Sequence, residues 1–250
     1  MGKAFLAGFR QGIWPRLLLS ALVFAIASAT ACTDTIVMLS RNFHTQSPGY
    51  HLILLRIALN SDAALMFLPI AAALPFAGSY VDEVKTKYVR LMLCRTGYAG
   101  YLLSRALICF VTGCLVIIGG ALLLWLVSVA VFCGVETGEG SYELLSGPVA
   151  LRAGLLALSG GVWALLGMSF SAWMESKYIA YAAPFVFYYV LRILYERYFS
   201  ALTVLDSSAW VNPDAGFPGG AWGNAALLLA LAVLFSLPFL LRARKRVKNL

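Results

Sequence analysis

Charged side chains are scarce in this sequence. Lys, Arg, Asp and Glu make up 12% of its 250 residues, whereas 61% are hydrophobic and the mean hydropathy is +0.84. A soluble domain of this size needs more polar surface than these residues supply. Because several apolar runs exceed the roughly 18 residues that mark a spanning helix, we predict an all-α polytopic membrane protein.

The usual chemical motifs are also missing. The five cysteines form no CxxC pair, and the two histidines, His44 and His51, share one short predicted loop without further close ligands. The sequence contains no GxxxxGK[ST] loop, HExxH helix or GxSxG elbow. We therefore expect no disulfide, no metal site, no catalytic residue and no ATP bound by this chain itself.

The apolar runs predict six transmembrane helices. They lie near Leu17 to Leu39, Ile57 to Ser79, Leu103 to Cys133, Val149 to Met174, Tyr178 to Phe199 and Trp222 to Leu241. Each run is long enough to cross a hydrocarbon core of about 30 Å. We treat residues 1–250 as one transmembrane domain, with an outer loop at 200–221 and a basic tail at 242–250.

Basic residues are unevenly distributed between the connections. The two ends of the chain and the second and fourth connections hold 14 of the 19 Lys and Arg residues but only three of the 11 acids. By the positive-inside rule, this distribution predicts that both termini are cytoplasmic. The net charge of +8 then requires no nucleic-acid partner, and the basic tail favours anionic membrane lipid.

The amino-terminal region has two open interpretations. Lys3 and Arg10 ahead of an apolar run are typical of a secretory signal, with Cys32 after a weak cleavage pattern. The run continues past Cys32, however, which favours an uncleaved first span. Apolar residues also recur at helical spacing before Pro15, which predicts an interfacial amphipathic helix over residues 1–15.

Four polar residues lie toward the outer ends of the first two predicted spans. Arg56, Asn60 and Asp62 belong to the second span, and Asp34 in the first is a candidate partner for Arg56. One interpretation is a polar gate or a substrate contact. The other is local pairing with snorkelling to the interface, because an unpaired buried charge costs several kcal/mol.

Helix packing signals occur in the later spans. Arg192 and Glu196 are spaced for a helical ion pair, and the 200–221 loop is long enough to re-enter the membrane.

The third and fourth spans each have a face of small residues, which serves either packing within the chain or a subunit interface. These faces comprise Ala106, Gly113 and Gly120, and Ala153, Ala157, Gly160, Ala164, Gly167 and Ser171.

The segment from Val81 to Arg105 is charged and lies between two apolar runs, in a predicted cytoplasmic connection. It predicts an amphipathic helix opened by Asp82 and Glu83, followed by a break at 96–100 and a new helix from Tyr101. This arrangement resembles the permease subunits of type 2 ATP-binding-cassette (ABC) exporters. The residues at matching positions are Glu83, Lys85, Arg90, Arg95, Tyr101 and Arg105, and Tyr88 on the apolar edge of the helix is a further candidate coupling residue. Where the family often has glycine, this chain has Lys87.

The resemblance implies a function and a set of partners. It implies a permease in a bacterial cytoplasmic membrane that pairs with a second copy or a related permease, and that binds separate ABC ATPase subunits carrying ATP and Mg. The implied cargo is a peptide-like, lipid or small hydrophobic substrate, exported from the cell. The alternative is a membrane scaffold or sensor subunit that uses the same cytoplasmic helix but moves no substrate.

Overall fold

A computed structural model describes residues 13–34, 37, 50–89, 92, 97–132, 147–213, 217 and 219–248. Those residues contain no β-strand, and the chain is helical and multi-pass in character. Eight α-helices have bounds within the described part of the chain. They are α1 (Ile13–Thr30), α2 (Tyr50–Asn60), α3 (Asp62–Ala73), α4 (Ser79–Lys85), α5 (Tyr98–Phe132), α6 (Gly147–Met174), α7 (Lys177–Arg197) and α8 (Gly220–Lys248).

Four helices, α5 to α8, are long and apolar enough to cross a membrane. Their bounds agree with the last four predicted spans to within a few residues at most ends. The largest difference is at the end of α8, which continues through the basic tail as far as Lys248. A multi-pass membrane protein is therefore confirmed, whereas the count of six spans stays a prediction.

The predicted second span is not one continuous helix. Helices α2 and α3 are bent by 68° at Ser61, so the pair is either one broken span or a re-entrant loop. Ser61 has an extended backbone, and its hydroxyl accepts a hydrogen bond from the Ala64 amide at 3.1 Å and donates one to the Ala58 carbonyl at 2.7 Å. A serine that caps the next helix in this way ends the previous one.

The first predicted span is also interrupted, by a turn at Ala31 and Cys32 after which Thr33, Asp34 and Val37 are helical again. α1 ends at Thr30, whose hydroxyl donates to the Ala27 carbonyl at 2.7 Å, and a turn follows in which the Cys32 amide donates to Ala29 at 2.9 Å. Side-chain hydroxyls that bond nearby carbonyls compete with helix continuation. Residues 1–12 of the predicted interfacial helix lie outside the described residues.

Helix α6 forms the centre of the bundle and packs against α3, α5, α7 and α8. Its small residues permit close approach: a Cβ on Gly113 of α5 would lie 2.7 Å from the Gly160 carbonyl oxygen, and one on Gly167 would lie 2.4 Å from the Ala180 carbonyl oxygen of α7. Pro184 lacks the amide that would bond that carbonyl, which leaves it facing Gly167. The small-residue faces thus serve packing within this chain.

The loop between α7 and α8 folds back into the bundle. It contains two short 3-10 turns, Thr203–Leu205 and Ala209–Val211, and the buried Trp210 stacks on Trp163 with ring centroids 5.7 Å apart. Trp163 lies in the middle of α6, so the loop reaches well below the helix ends. The Trp210 indole donates to the Val204 carbonyl at 2.7 Å, which satisfies the ring nitrogen that burial would otherwise strand.

Candidate functional site

A buried ion pair joins α4 to the start of α5. Arg105 Nη2 lies 2.5 Å from Glu83 Oε1, and the Tyr101 hydroxyl donates to the other oxygen of the same carboxylate. Tyr101 and Arg105 are one helical turn apart, so they share a face of α5. The Arg105 guanidinium also lies over the rings of Phe76 and Tyr101, at 5.6 and 5.5 Å from their centroids. We call Phe76, Glu83, Tyr101 and Arg105 the arginine lock.

Burial dominates the electrostatics of the lock. Only 4% of the Arg105 side chain and 13% of the Glu83 side chain are exposed. Burial raises the pKa of the Glu83 carboxyl above its usual range, although Arg105 and the Tyr101 hydroxyl act to lower it. A pair of this kind contributes little net stability, but removing one partner leaves the other charged and buried. The lock therefore fixes the position of α4 on α5.

A second contact holds α4 on its other side. The Lys177 ammonium, at the start of α7, forms an ion pair with Asp82, and about 40% of each side chain is exposed. The Ser171 hydroxyl of α6 donates to the Ala77 carbonyl at 3.1 Å, just before α4. The segment around α4 is thus bound to α5, α6 and α7. The Asp82–Lys177 pair joins the segment between the second and third predicted spans to the segment between the fourth and fifth. Both segments therefore lie at the same end of the bundle, as their charge predicts.

The helix predicted to run from Asp82 past Arg90 is interrupted by a turn at Thr86 and Lys87, and helical residues resume at Tyr88. α4 begins at Ser79 and stops at Lys85, so Glu83 lies inside a short helix and not at the start of a long one. Lys87 lies two residues after the end of α4 and has φ 59°, in the left-handed region that favours glycine. This is the position where the resemblance expects glycine, so the backbone conformation is one that glycine would adopt without strain.

The remaining coupling residues occupy different positions. Lys85 is exposed, and Tyr88 is partly buried against the core. A depression of about 340 Å³ beside α4 is lined by Lys85, Glu175, Ser176, Lys177, Tyr178 and Tyr181. Arg90 and Arg95 lie outside the described residues. The next helix, α5, begins at Tyr98 and not at Tyr101 as predicted.

The polar residues near the other end of the bundle do not form the predicted cluster. Asp34 and Arg56 are both exposed, and no ion pair joins these two described side chains. Arg56 lies on the exposed face of α2, whereas Asp34 lies beyond the end of α1. Asp62 instead contacts Arg192 at 3.4 Å, and Arg192 forms the predicted pair with Glu196 at 2.9 Å.

Arg56 and Asn60 line a large cleft together with Arg152 and Asn212. The cleft has a volume of about 620 Å³ and lies between α2, the start of α6 and the α7–α8 loop. The Arg152 guanidinium donates to the Val211 carbonyl at 2.5 Å, and the Asn60 amide donates to the Arg56 carbonyl at 2.9 Å. Asp34 and Asp62 are not among the residues that line it.

Sequence reasoning missed two parts of this arrangement. It did not foresee the pairing of Asp82 with Lys177, because the two residues are far apart in the chain and either could pair with several charges. It also missed Phe76, which reads as an ordinary apolar residue. The only sequence signal for the contact between Arg105 and Phe76 is that a cationic residue is predicted near the end of an apolar helix, where an aromatic ring can pack against it.

No family model, curated protein or solved structure matches this chain. Function is therefore inferred from the residues of the chain and their geometry. The most informative feature is a short helix held at one end of the bundle by a buried lock on one side and a solvent-exposed ion pair on the other.

Proposed function

We propose that this chain is the membrane-spanning permease subunit of an ABC exporter. The observation that supports the proposal best is the arginine lock, which ties the charged segment to the start of a 35-residue helix, α5. A partner that displaces this segment would move α5 with it, because breaking the lock leaves a buried charge without its partner. The segment then acts as a coupling element and not as a loose surface loop.

ATP and Mg are bound by separate ATPase subunits in this proposal, and this chain supplies only the mechanical connection. The ATPase docks at the end of the bundle that contains α4, where Lys85, Lys87 and the depression beside Lys177 are accessible. ATP binding shifts the permease only if the ATPase binds two permease conformations with different affinities. A second permease copy or a related chain completes the pathway, and the cargo is peptide-like, lipid or a small hydrophobic molecule.

Co-purification tests this proposal directly. The chain is purified from native bacterial membranes through a carboxy-terminal tag, its partners are identified by mass spectrometry, and ATP hydrolysis is measured. We expect a stoichiometric ATPase whose activity depends on the permease. If the chain purifies without any ATPase, the transport proposal is wrong and the scaffold alternative is favoured.

A charge-removing pair of variants tests the coupling role. Glu83→Gln removes the carboxylate charge that pairs with Arg105 but keeps the shape of the side chain, and we expect the ATPase to co-purify with reduced stimulation. Glu196→Gln is the matched control, because Glu196 is an exposed acid that also pairs with an arginine, at the opposite end of the bundle. Equal stimulation in wild type and Glu83→Gln would contradict the coupling role, provided that both proteins elute as single species.

A further inference from the structure

An apolar groove of about 330 Å³ lies between α6, α7 and α8. Its walls are formed by Leu166, Ser169, Phe170, Trp173, Met174, Phe187, Phe235 and Pro238. Ser169 is the only lining residue with a hydroxyl, and that group already donates to the Phe235 carbonyl at 2.5 Å. The groove therefore offers apolar contacts along its length and suits a hydrocarbon chain.

The groove leads toward a cationic residue. Phe235 and Pro238 line it from α8, and Arg242 lies one helical turn beyond Pro238 on the same face. The Arg242 guanidinium is 5.4 Å from the centroid of the Trp173 ring, and the Trp173 indole donates to the Pro238 carbonyl at 3.3 Å. Trp173 thus joins the apolar groove to the guanidinium above it.

Arg242 retains unused capacity for hydrogen bonding. Among the described residues, its Nε atom is buried and has no hydrogen-bond partner. A guanidinium presents its donors in a planar fork that matches two oxygens of a phosphate. A phosphate bound at this position would satisfy the buried nitrogen and would keep the cation–π contact with Trp173.

The charge near the groove selects for a negative ligand. Arg244 and Lys245 are exposed just beyond Arg242, and Glu175, which directly follows Met174, is the acid at the adjoining end of α6. Three basic side chains therefore outnumber this carboxylate. The combination of an apolar groove, an interfacial tryptophan and a basic cluster is the chemistry that binds an anionic lipid at a membrane surface.

We infer that this groove holds an acyl chain of an anionic phospholipid and that Arg242 binds its phosphate. The inference does not depend on the transport proposal, because no ATPase or second permease takes part. It concerns a specific site on α6 and α8, in addition to the general attraction between a basic tail and a membrane.

Fluorescence quenching in lipid vesicles tests this site. The full chain is reconstituted in phosphatidylcholine that contains a small fraction of either phosphatidylglycerol or phosphatidylcholine brominated on its acyl chains. Bromine quenches nearby tryptophan, and the component removed by Trp173→Phe reports on the groove. We expect brominated phosphatidylglycerol to quench this component more strongly than brominated phosphatidylcholine at equal fraction.

Two variants separate the site from general surface charge. Arg242→Gln should reduce the preference for phosphatidylglycerol about tenfold or more, because it removes a charge-assisted hydrogen bond to the phosphate. Arg244→Gln removes the same charge from an exposed neighbouring position and should leave the Trp173 component nearly unchanged. If the two variants have equal effects, or if both brominated lipids quench Trp173 equally, the site does not exist as proposed.

A competition measurement on the wild-type chain covers the case in which Arg242→Gln does not fold. Unbrominated phosphatidylglycerol should relieve the quenching of Trp173 by brominated phosphatidylglycerol, whereas added phosphatidylcholine should relieve it only by dilution. Equal relief by both lipids would overturn the inference without the use of a variant at Arg242.

Discussion

Removing Arg105 tests whether the lock is a coupled pair. In Arg105→Met, the Glu83 carboxylate stays largely buried without its cation, which is expected to cost about 3–5 kcal/mol of unfolding free energy. Glu83→Gln should cost a similar amount, about 3–5 kcal/mol, because it leaves the buried Arg105 guanidinium without its carboxylate. The double variant buries no charge and should be within about 2 kcal/mol of the wild type.

The lock also gives this prediction a pH dependence. Burial already raises the pKa of Glu83 in the folded protein, and loss of Arg105 removes the main contribution that lowers this pKa. A raised folded-state pKa means that the stability from this group is greatest at low pH and is lost as pH rises through that pKa. The deficit of Arg105→Met relative to wild type should therefore be smaller at pH 5 than at pH 8.

Equilibrium unfolding by dodecyl sulfate in mixed micelles, followed by tryptophan fluorescence, measures all four proteins. Arg197→Met is the control, because Arg197 is exposed and its replacement should change stability by about 0.5 kcal/mol or less. If the costs of the two single variants simply add in the double variant, Glu83 and Arg105 are not coupled. That result would refute the lock as described.

Three further predictions concern the backbone and the packing. Lys87→Gly should stabilise the protein by about 0.5–1 kcal/mol in the same unfolding assay, because glycine adopts the observed φ without a Cβ penalty. Gly160→Leu should destabilise the protein or prevent folding, since a Cβ there would lie 2.6 Å from a carbon of the Ile117 side chain. Gly154→Leu is the control and should be tolerated, because a Cβ at Gly154 faces open space. Size-exclusion chromatography of the two variants checks this prediction. Trp210→Ala should cost about 3–5 kcal/mol by loss of a buried ring, measured as a lower unfolding midpoint.

Long apolar runs made the last four helices predictable. Once a run exceeds the thickness of the membrane core, a helix is the only local structure that satisfies its backbone, so α5 to α8 follow from composition. The break at Ser61 was missed, although Asn60, Ser61 and Asp62 interrupt the apolar run. A serine followed by an acid is typical of a helix start, but the apolar residues beyond these three favoured one continuous span. The capping geometry of Ser61 shows that the helix ends and restarts here.

The site was predictable in its residues but not in its contacts. The resemblance pointed to Glu83, Tyr101 and Arg105 by their positions in the charged segment, yet it gave no distance between them. Spacing alone places Tyr101 and Arg105 on one face, because both belong to one helix. Their contact with Glu83 depends on how the connection between Lys85 and Tyr98 brings α5 back against α4, and no local pattern specifies that geometry.

The lock closes the chain between Glu83 and Arg105 into a loop whose two ends are pinned together. A force applied anywhere inside this loop acts on both ends at once, so it tends to rotate α4 and the start of α5 as one body instead of pulling them apart. The compliance needed for such a rotation must then come from a joint outside the loop. The turn at residues 74–78 is the nearest upstream joint for that body, and the 68° bend at Ser61 is the next one.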